Sequence, residues 1–474
     1  MMWFEVGTVA FNNLIKAQGL PVAEQQMLDE LIKVYDYNRA KNETKNRYYE
    51  GRISLNEVNL GIALPDGMRR LEIGCAWGAK TVDVLAARSI FDGFVGMNGD
   101  DVEALDKLVI DNSLVSEYDK ACRDELKYGC TFATLSKDDS IGCKIRFHSP
   151  RTASALWSGE KGRISCGMAI IDTVPSNKPD EKWKPSHINL YTDDAIWVLL
   201  RLNPESDLWT ATKYPHRMGR PLMEPLIWNA TSDKPFGRSR IKEPVRRLIQ
   251  GYVRTIANAT IGLEFSTTPQ KYLLGVTDEQ FDAVVNQKFR QYVGSILAAT
   301  TNPETGEKPT FGQLTQGNIQ PHVEMVRVLA TQFSAATGLA VSDTGVVNDA
   351  NPTSSDAILA QTKTLVGMAE QLNKNNAVSL RTIGLMALAI INSTSLDALD
   401  AEDKAVMAHF KNPAMPNIAA TTDAALKIAS ARPAFASTDV FLEMTGFDKS
   451  DIARIKAQEL RARGQDVLDE VLNG

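Results

Sequence analysis

Any chemistry in this chain would have to come from a short set of residues. The segment Leu71-Glu72-Ile73-Gly74-Cys75-Ala76-Trp77-Gly78 sets two glycines ahead of a helical pattern. A turn of that kind can bring backbone close to a cofactor such as S-adenosylmethionine. Ala76 stands where the turn needs its middle glycine, and no acidic residue closes a second strand about 20 residues on to hold a ribose. The adjacent acids Asp138-Asp139 and Asp193-Asp194 would point to opposite faces of a strand, so each pair reads as a hairpin turn rather than a metal site. His148, His187, His216, His322 and His409 are scattered, and Cys75, Cys122, Cys130, Cys143 and Cys166 form no C-x-x-C pair. No metal site and no cofactor are expected, and the thiols are expected to be reduced and buried. No nucleophile elbow and no P-loop lysine motif occurs. The densest basic stretch is Arg238, Arg240, Lys242, Arg246, Arg247 and Arg254, against Glu243. It reads as a solvated helix face, a face packed on an acidic neighbour in an oligomer, or a phosphate contact.

The bulk properties narrow the choice. At 474 residues the chain is too long for one core, so two or more structural regions are expected. Hydrophobic residues make up 43% and charged residues 23%, as in an ordinary folded protein. The formal net charge is −6, which disfavours a static, tight grip on nucleic acid and leaves room for a transient encounter. The opening MMWFEVGTVAFNN lacks the order of a signal peptide, and no apolar run approaches the ~18–20 residues that span a bilayer. A protein made and used in a cytoplasm, with no membrane partner, is expected.

The elements that would position these residues follow from periodicity. Residues 21–50 predict a helix with Met27, Leu28, Leu31, Ile32 and Tyr35 on one face. Residues 76–94 predict a second, with Val82, Val84, Leu85 and Ala87 inward, and residues 101–126 a third. The period then changes to that of strands at 143–148, 165–174, 187–192, 195–202 and 208–214, separated by turn clusters, which predicts an antiparallel sheet. A proline-pinned stretch follows at 215–226. Helices return near Pro244, and again from the capping box Thr277–Gln280 to about Leu297. Residues 300–317 read as a loop or short hairpin. A helix from Asn318 as N-cap to Gly338 as its stop comes next. Residues 339–353 have no period. The longest helical pattern runs from Ser354 or Ser355 to about Ser393, roughly 55 Å if unbroken. The run Asn373-Lys374-Asn375-Asn376 is its expected kink, since asparagine is a poor interior helix former. The tail reads as helices at 419–431, 438–446 and 450–464.

In this order the motifs resemble one family, the portal proteins of tailed bacteriophages, of the type found in siphophages of Gram-positive hosts. Tyr48-Tyr49-Glu50-Gly51 is similar to the family's early YYxG, and the run from Arg88 to Phe94 to its close of the first helical segment. His216-Arg217-Met218-Gly219-Arg220-Pro221 resembles the motif that ends the wing sheet, and Phe236-Gly237-Arg238-Ser239-Arg240-Ile241 the one that opens a stem helix. The most specific match is Asn351-Pro352-Thr353-Ser354-Ser355-Asp356-Ala357-Ile358, which looks like the start of the long helix after the tunnel loop. The opening residues 1–40 and the basic start of the stem depart from the pattern.

The resemblance implies an α+β, mainly α fold: a portal-type subunit with a wing of helices plus antiparallel sheet, a helical stem, an α/β clip, a long central helix and a helical crown. Carried onto this chain, 1–237 would be wing, 238–265 and 318–338 the two stem helices, and 266–317 the clip. Residues 339–353 would be the tunnel loop, 354–393 the long helix and 394–474 the crown. It implies a homo-oligomeric ring, twelvefold in the virion, at the capsid vertex, assembled in the host cytoplasm, with no catalytic residues. Double-stranded DNA would pass through without sequence readout during packaging and ejection. The implied partners are the terminase large subunit, the major capsid and scaffolding proteins, and head-completion or adaptor proteins.

The loop residues Ser342, Asp343, Thr344, Asn348, Asp349 and Asn351 would face the DNA. That loop carries no Lys or Arg, which suits a bore that must not hold phosphates, because each neutralised phosphate steepens binding. Lys363, Lys374 and Arg381 are the possible channel cations, and Arg238, Arg240, Lys242, Arg246 and Arg247 a possible basic cluster on the stem. Replacing Asp343 and Asp349 by lysine is expected to leave rings intact and to slow packaging. The alternative function is an S-adenosylmethionine-dependent methyltransferase built on Leu71–Gly78. A further one is another head structural protein, against which the long helix after a polar loop argues.

Overall fold

The stripe over residues 21–50 forms helix α1, Val22–Tyr49, in the computed structural model. Leu28, Leu31, Ile32 and Tyr35 are buried on one side of it, as their i, i+3, i+4 spacing requires, while Met27 is exposed. Residues 9, 11, 15–53, 73–96, 102–174, 183–202, 208–267, 271–275, 306, 308, 310–313, 318–346, 355–414, 418–447 and 451–462 except 453 are described.

The buried face of α1 lies on a six-stranded sheet. Its strands are β1 (Ala17–Gln18), β5 (Ala153–Ser158), β6 (Arg163–Val174), β7 (Lys184–Tyr191), β8 (Ala195–Arg201) and β9 (Trp209–Pro215), in the order β1-β9-β8-β7-β6-β5. Neighbours are antiparallel except β1, which runs parallel to β9. Alternation selects Ala195, Trp197 and Leu199 of β8 for the core under α1, together with Met168, Ile188, Leu190 and Trp209. The expected antiparallel sheet is therefore present. It shares the unit with three smaller ones, and residues 143–148 belong to one of these. β10 (Met223–Ile227), β3 (Cys130–Asp138) and β4 (Gly142–His148) form a three-stranded sheet in that order. β11 (Lys271–Leu274) pairs with β12 (Thr310–Gln313), and β2 (Phe91–Val95) with β13 (Met407–Phe410).

The larger core gathers around the three-stranded sheet. It receives α2 (Trp77–Ala86), α4 (Leu114–Tyr128), α5 (Glu243–Thr267), α6 (Gln320–Thr337) and α7 (Ser355–Ile391), with α3 (Glu103–Asp111) at its edge. Both turn readings hold. Asp138 Oδ1 accepts from the Ser140 and Ile141 amides between β3 and β4. Asp193 and Asp194, between β7 and β8, take the ammonium groups of Lys161 and Lys213.

Three expectations need correction. The helix expected over 76–94 ends at Ala86, and 91–95 is a strand whose partner lies more than 300 positions away, at 407–410; Ala87 is exposed. The helix expected over 101–126 is two helices. They are broken at Asn112-Ser113, where Ser113 takes φ 49° and Asn112 bonds the Cys143 carbonyl and the Ile145 amide. The asparagine run does not interrupt α7, which is one helix of 37 residues. Asn373 and Asn376 are buried in it and hydrogen-bonded. Residues 394–411, within the expected crown, pack with the first of two compact units, Met1–Lys411, through β13. The helix expected from Thr277 to Leu297 lies outside the described residues.

The second unit, Asn412–Gly474, contains α8 (Ile418–Ala431), a 3-10 turn at Pro433–Ser437, α9 (Asp439–Met444) and a helix over 451–462. Thr438 caps α9 by accepting from the Phe441 amide, and Phe435 and Phe441 meet edge to face at 5.8 Å. Lys456 bonds Asp439 at 2.7 Å.

Of the two glycines in 74–78, Gly78 has a packing reason, whereas a Cβ at Gly74 would meet nothing within 4 Å. A Cβ at Gly78 would sit 1.9 Å from the Tyr48 carbonyl oxygen, so this glycine lets the start of α2 touch the end of α1. Gly78→Ala should force the two helices apart and cost about 1–3 kcal/mol of stability. A thermal melt of the variant equal to that of the parent would show that the contact tolerates a methyl group.

Candidate functional site

The described part of the expected tunnel loop, 339–346, follows the end of α6 and lies against α2. α6 ends at Gly338, whose φ of 73° is the left-handed stop anticipated for it. The chain then makes a 3-10 turn at Val341–Thr344. Ser342 is exposed. Asp343 is half-buried, and its Oδ2 accepts from the Ala340 amide at 3.2 Å. Thr344 is buried: its hydroxyl donates to the Val341 carbonyl at 2.6 Å, and its own carbonyl receives the Trp77 indole N–H at 3.1 Å. Asn348, Asp349 and Asn351 lie outside the described residues. Thr344 thus departs from the reading that grouped it with solvent-facing loop residues, because the turn folds its side chain back and the indole claims its carbonyl.

The basic stretch divides by environment. Arg240 is 7% exposed. Its Nε donates to the Thr81 carbonyl of α2 at 2.6 Å, its Nη2 to the Thr337 carbonyl at the end of α6 at 2.7 Å, and its Nη1 lies 3.4 Å from the Met368 sulfur of α7. The Trp228 ring is 5.7 Å away. Burial lowers its pKa to about 10, so it stays charged at neutral pH. The C-terminal carbonyl of α6 carries the partial negative charge of the helix dipole and serves as its counterpart. Arg240 is therefore corrected from a face residue to a core residue. Arg238 pairs with Asp233 at 3.6 Å, Arg247 with Glu243 at 3.0 Å, and Arg246 lies over the Tyr48 ring at 5.9 Å. Lys242 and Arg254 are exposed.

On α7, Lys363 and Lys374 are exposed. Arg381 is half-buried and bonds the Val406 carbonyl at 3.0 Å and the Lys404 carbonyl, which ties α7 to the segment leading into β13. The inner side of the same helix carries a polar cluster that pattern reading missed. Asn373 Oδ1 accepts from Ser89 Oγ at 2.6 Å, and Ser89 Oγ lies 2.7 Å from the Tyr118 hydroxyl. Asn376 Nδ2 donates to the Tyr118 hydroxyl at 2.9 Å and to Glu125 Oε2 at 2.8 Å. Glu125 is fully buried, and desolvation pushes its carboxyl up to about 8.

The turn at 73–78 offers no cofactor cradle. Trp77 is buried with its ring 4.6 Å from Tyr252 and 4.7 Å from Phe333, Ile73–Cys75 is not a strand, and apart from the two-residue β1 beside β9 the strand pairs of the described sheets are antiparallel. Among the described residues, no group of three or more His, Cys, Asp or Glu could hold a metal. No helix of the described residues is long and apolar enough to cross a membrane.

A family profile described as phage portal protein, SPP1 Gp6-like, matches residues 28–465. This chain belongs to that family. The portal thus keeps its family's pattern across nearly its whole length, and the methyltransferase alternative has no support. No curated protein matches the portal's sequence. Solved structures that resemble it include the neck of a native GTA particle computed with C12 symmetry, at 11% identity and a TM-score of 0.42, covering 78% of this chain and 89% of that one. Another is the neck of an empty GTA particle computed with C6 symmetry, at 12% identity and a TM-score of 0.44, covering 84% and 98%. At those scores the likeness is loose, and the family match is what assigns the chain.

Proposed function

We propose that this portal protein assembles as a homo-oligomeric ring, a dodecamer in the virion, at one capsid vertex, and that double-stranded DNA passes through its bore. The match over residues 28–465 carries the reading. In this assignment 1–237 is wing, α5 and α6 (within 238–265 and 318–338) are stem, and 266–317 is clip. Residues 339–353 are the tunnel loop and α7, within 354–393, the long helix. Residues 394–474 are the crown, of which 394–411 pack with the first compact unit. The clip meets the terminase large subunit during packaging and head-completion or adaptor proteins afterwards. The wing and crown meet the major capsid and scaffolding proteins. The subunit's role is structural, with no cofactor.

Purified protein under negative stain should give uniform rings with a central hole. A population of monomers and dimers would overturn the reading. Within intact rings, Ser342→Lys combined with Asp349→Lys should slow packaging severalfold, because twelve added pairs of cations would grip phosphates. Ser342 replaces Asp343 as the test position, since the Asp343 carboxylate holds the Ala340 amide. Normal packaging yield in rings of that variant would refute a bore that depends on low cation density.

A further inference from the structure

Two anchors on one helix hold the segment that leads from α6 into the loop. Trp77 and Thr81 are four residues apart on α2, on the same face, and Thr81 Oγ1 donates to the Trp77 carbonyl at 2.8 Å. The Thr81 carbonyl grips Arg240, and Arg240 grips the Thr337 carbonyl, so α2 is tied to the end of α6. Trp77 grips the Thr344 carbonyl, so α2 is tied to the turn seven residues later. Between these anchors the chain is closed on itself: Ser334 Oγ donates to the Leu339 carbonyl at 2.6 Å, the Leu339 amide reaches Thr337 Oγ1 at 3.4 Å, and the Asp343 amide reaches the Ala340 carbonyl at 3.0 Å. Gly338 holds φ 73°, which side chains rarely adopt, and a Cβ there would push the Met368 methyl group of α7, 2.6 Å away.

Trp77 does more than fill space. Its ring is wedged between Tyr252 of α5 and Phe333 of α6, and its only polar atom points at the turn. A phenyl ring would pack in much of that space, whereas the indole N–H satisfies a carbonyl that is otherwise left at the first bend of the loop.

We infer that Trp77 is a positioning residue, through which α2 fixes the first turn of the tunnel loop so that Leu339–Val346 moves with α2 and the stem-helix ends as one body. This rests on the proposed role of 339–353 as the loop that meets DNA. Its consequence is directional. A shift of α6 against α2 that carries the turn along must break the Trp77–Thr344 bond, and one that keeps the bond must bend the chain between Gly338 and Ala340, so loop position reports on wing and stem together.

The test is hydrogen exchange on the purified full-length protein. Trp77→Phe, or incorporation of 3-benzothienylalanine at position 77, removes the N–H donor and keeps the ring packing; the second leaves the ring shape intact should the first fail to fold. Exchange at the Asp343, Gly345 and Val346 amides should quicken roughly five- to tenfold, the effect of losing about one hydrogen bond, with α2, α5 and α6 unchanged. Unchanged exchange at 343–346 overturns the inference, and so does equal loosening across α2 and α5, which is the signature of a mere core residue. In rings of the variant, packaging should slow. Quickened exchange with normal packaging would leave the clamp standing and would remove the loop from the DNA path, which separates the two failures.

Discussion

Glu125→Gln should make the portal more stable at pH 8 than the parent, and the gain should shrink to about 1 kcal/mol near pH 5 and vanish below about pH 4. Glu125 is fully buried on α4, faces Asn376 of α7, and has a folded pKa raised to about 8 by desolvation. An unfolded chain titrates the same carboxyl near 4.3. A raised folded value means the folded state holds a proton that the unfolded state releases. Stability from this group is therefore complete below about pH 4, falls as pH rises, and is gone above about pH 8. Each unit between the two values is worth about 1.4 kcal/mol, so at pH 7.5 the glutamine should gain up to about 4 kcal/mol.

The groups that act on Glu125 include Tyr118 and Cys122 of α4, Cys130 of β3 and Asn376 of α7. No basic side chain acts on it, and the same burial drives the Tyr118 and Cys122 pKa values upward. Glu125 Oε1 and the Asn376 Oδ1 are both without a hydrogen-bond partner, an acceptor excess that an amide or a protonated acid relieves. Melting curves at pH 5, 6, 7 and 8, at one protein concentration, give the answer. Parallel curves for parent and variant would mean that Glu125 is ionised in the fold.

Arg240→Met should be the most damaging conservative-volume change in the hub. It strands the Thr337 carbonyl at a buried helix end and deletes the charged-donor hydrogen bond to the Thr81 carbonyl, at about 1.5–3 kcal/mol apiece, and removes a side chain that joins α2 to the end of α6. A total of roughly 3–5 kcal/mol follows, visible as a lower denaturation midpoint with an unchanged m-value. Arg240→Lys should recover less than half, because a single ammonium cannot reproduce the two divergent directions of the guanidinium fork. A lysine variant as stable as the parent would show that charge alone matters there.

Local pattern decided much of this fold. The α1 stripe, the left-handed stop at Gly338, the strands between 163 and 215 and the reach of α7 all follow from spacing that neighbouring residues share. What escaped was set at a distance. Phe91–Val95 looks like a helix end because its reason to be a strand is residues 407–410, and Phe91 and Tyr118 both stack near Phe410. Ser113 carries no glycine or proline signal, yet it adopts a left-handed turn where Asn112 caps the neighbouring sheet. Asn373 and Asn376 read as a weak point in α7 because helix propensity counts a polar side chain as exposed, whereas Ser89, Tyr118 and Glu125 await them inside.

The candidate site was legible as an interval and not as an environment. The sequence marks 339–353 as irregular between two helices. It does not show that Thr344 turns inward, or that Arg240, from a run of six cations, is the one that leaves the surface.

The five cysteines have a practical corollary. All are buried and unpaired, and burial holds Cys75 and Cys166 up to about 11, Cys130 and Cys143 up to about 12, and Cys122 well above its ordinary value. At neutral pH roughly one thiol in ten thousand or fewer would be the reactive thiolate. The wild-type background should therefore react slowly with maleimide dyes and spin labels, and a single cysteine introduced at exposed Ser342, Lys363 or Lys374 should carry nearly all of the probe. Distances across an assembled particle could then be read by fluorescence or pulsed magnetic resonance with every native sulfur left in place.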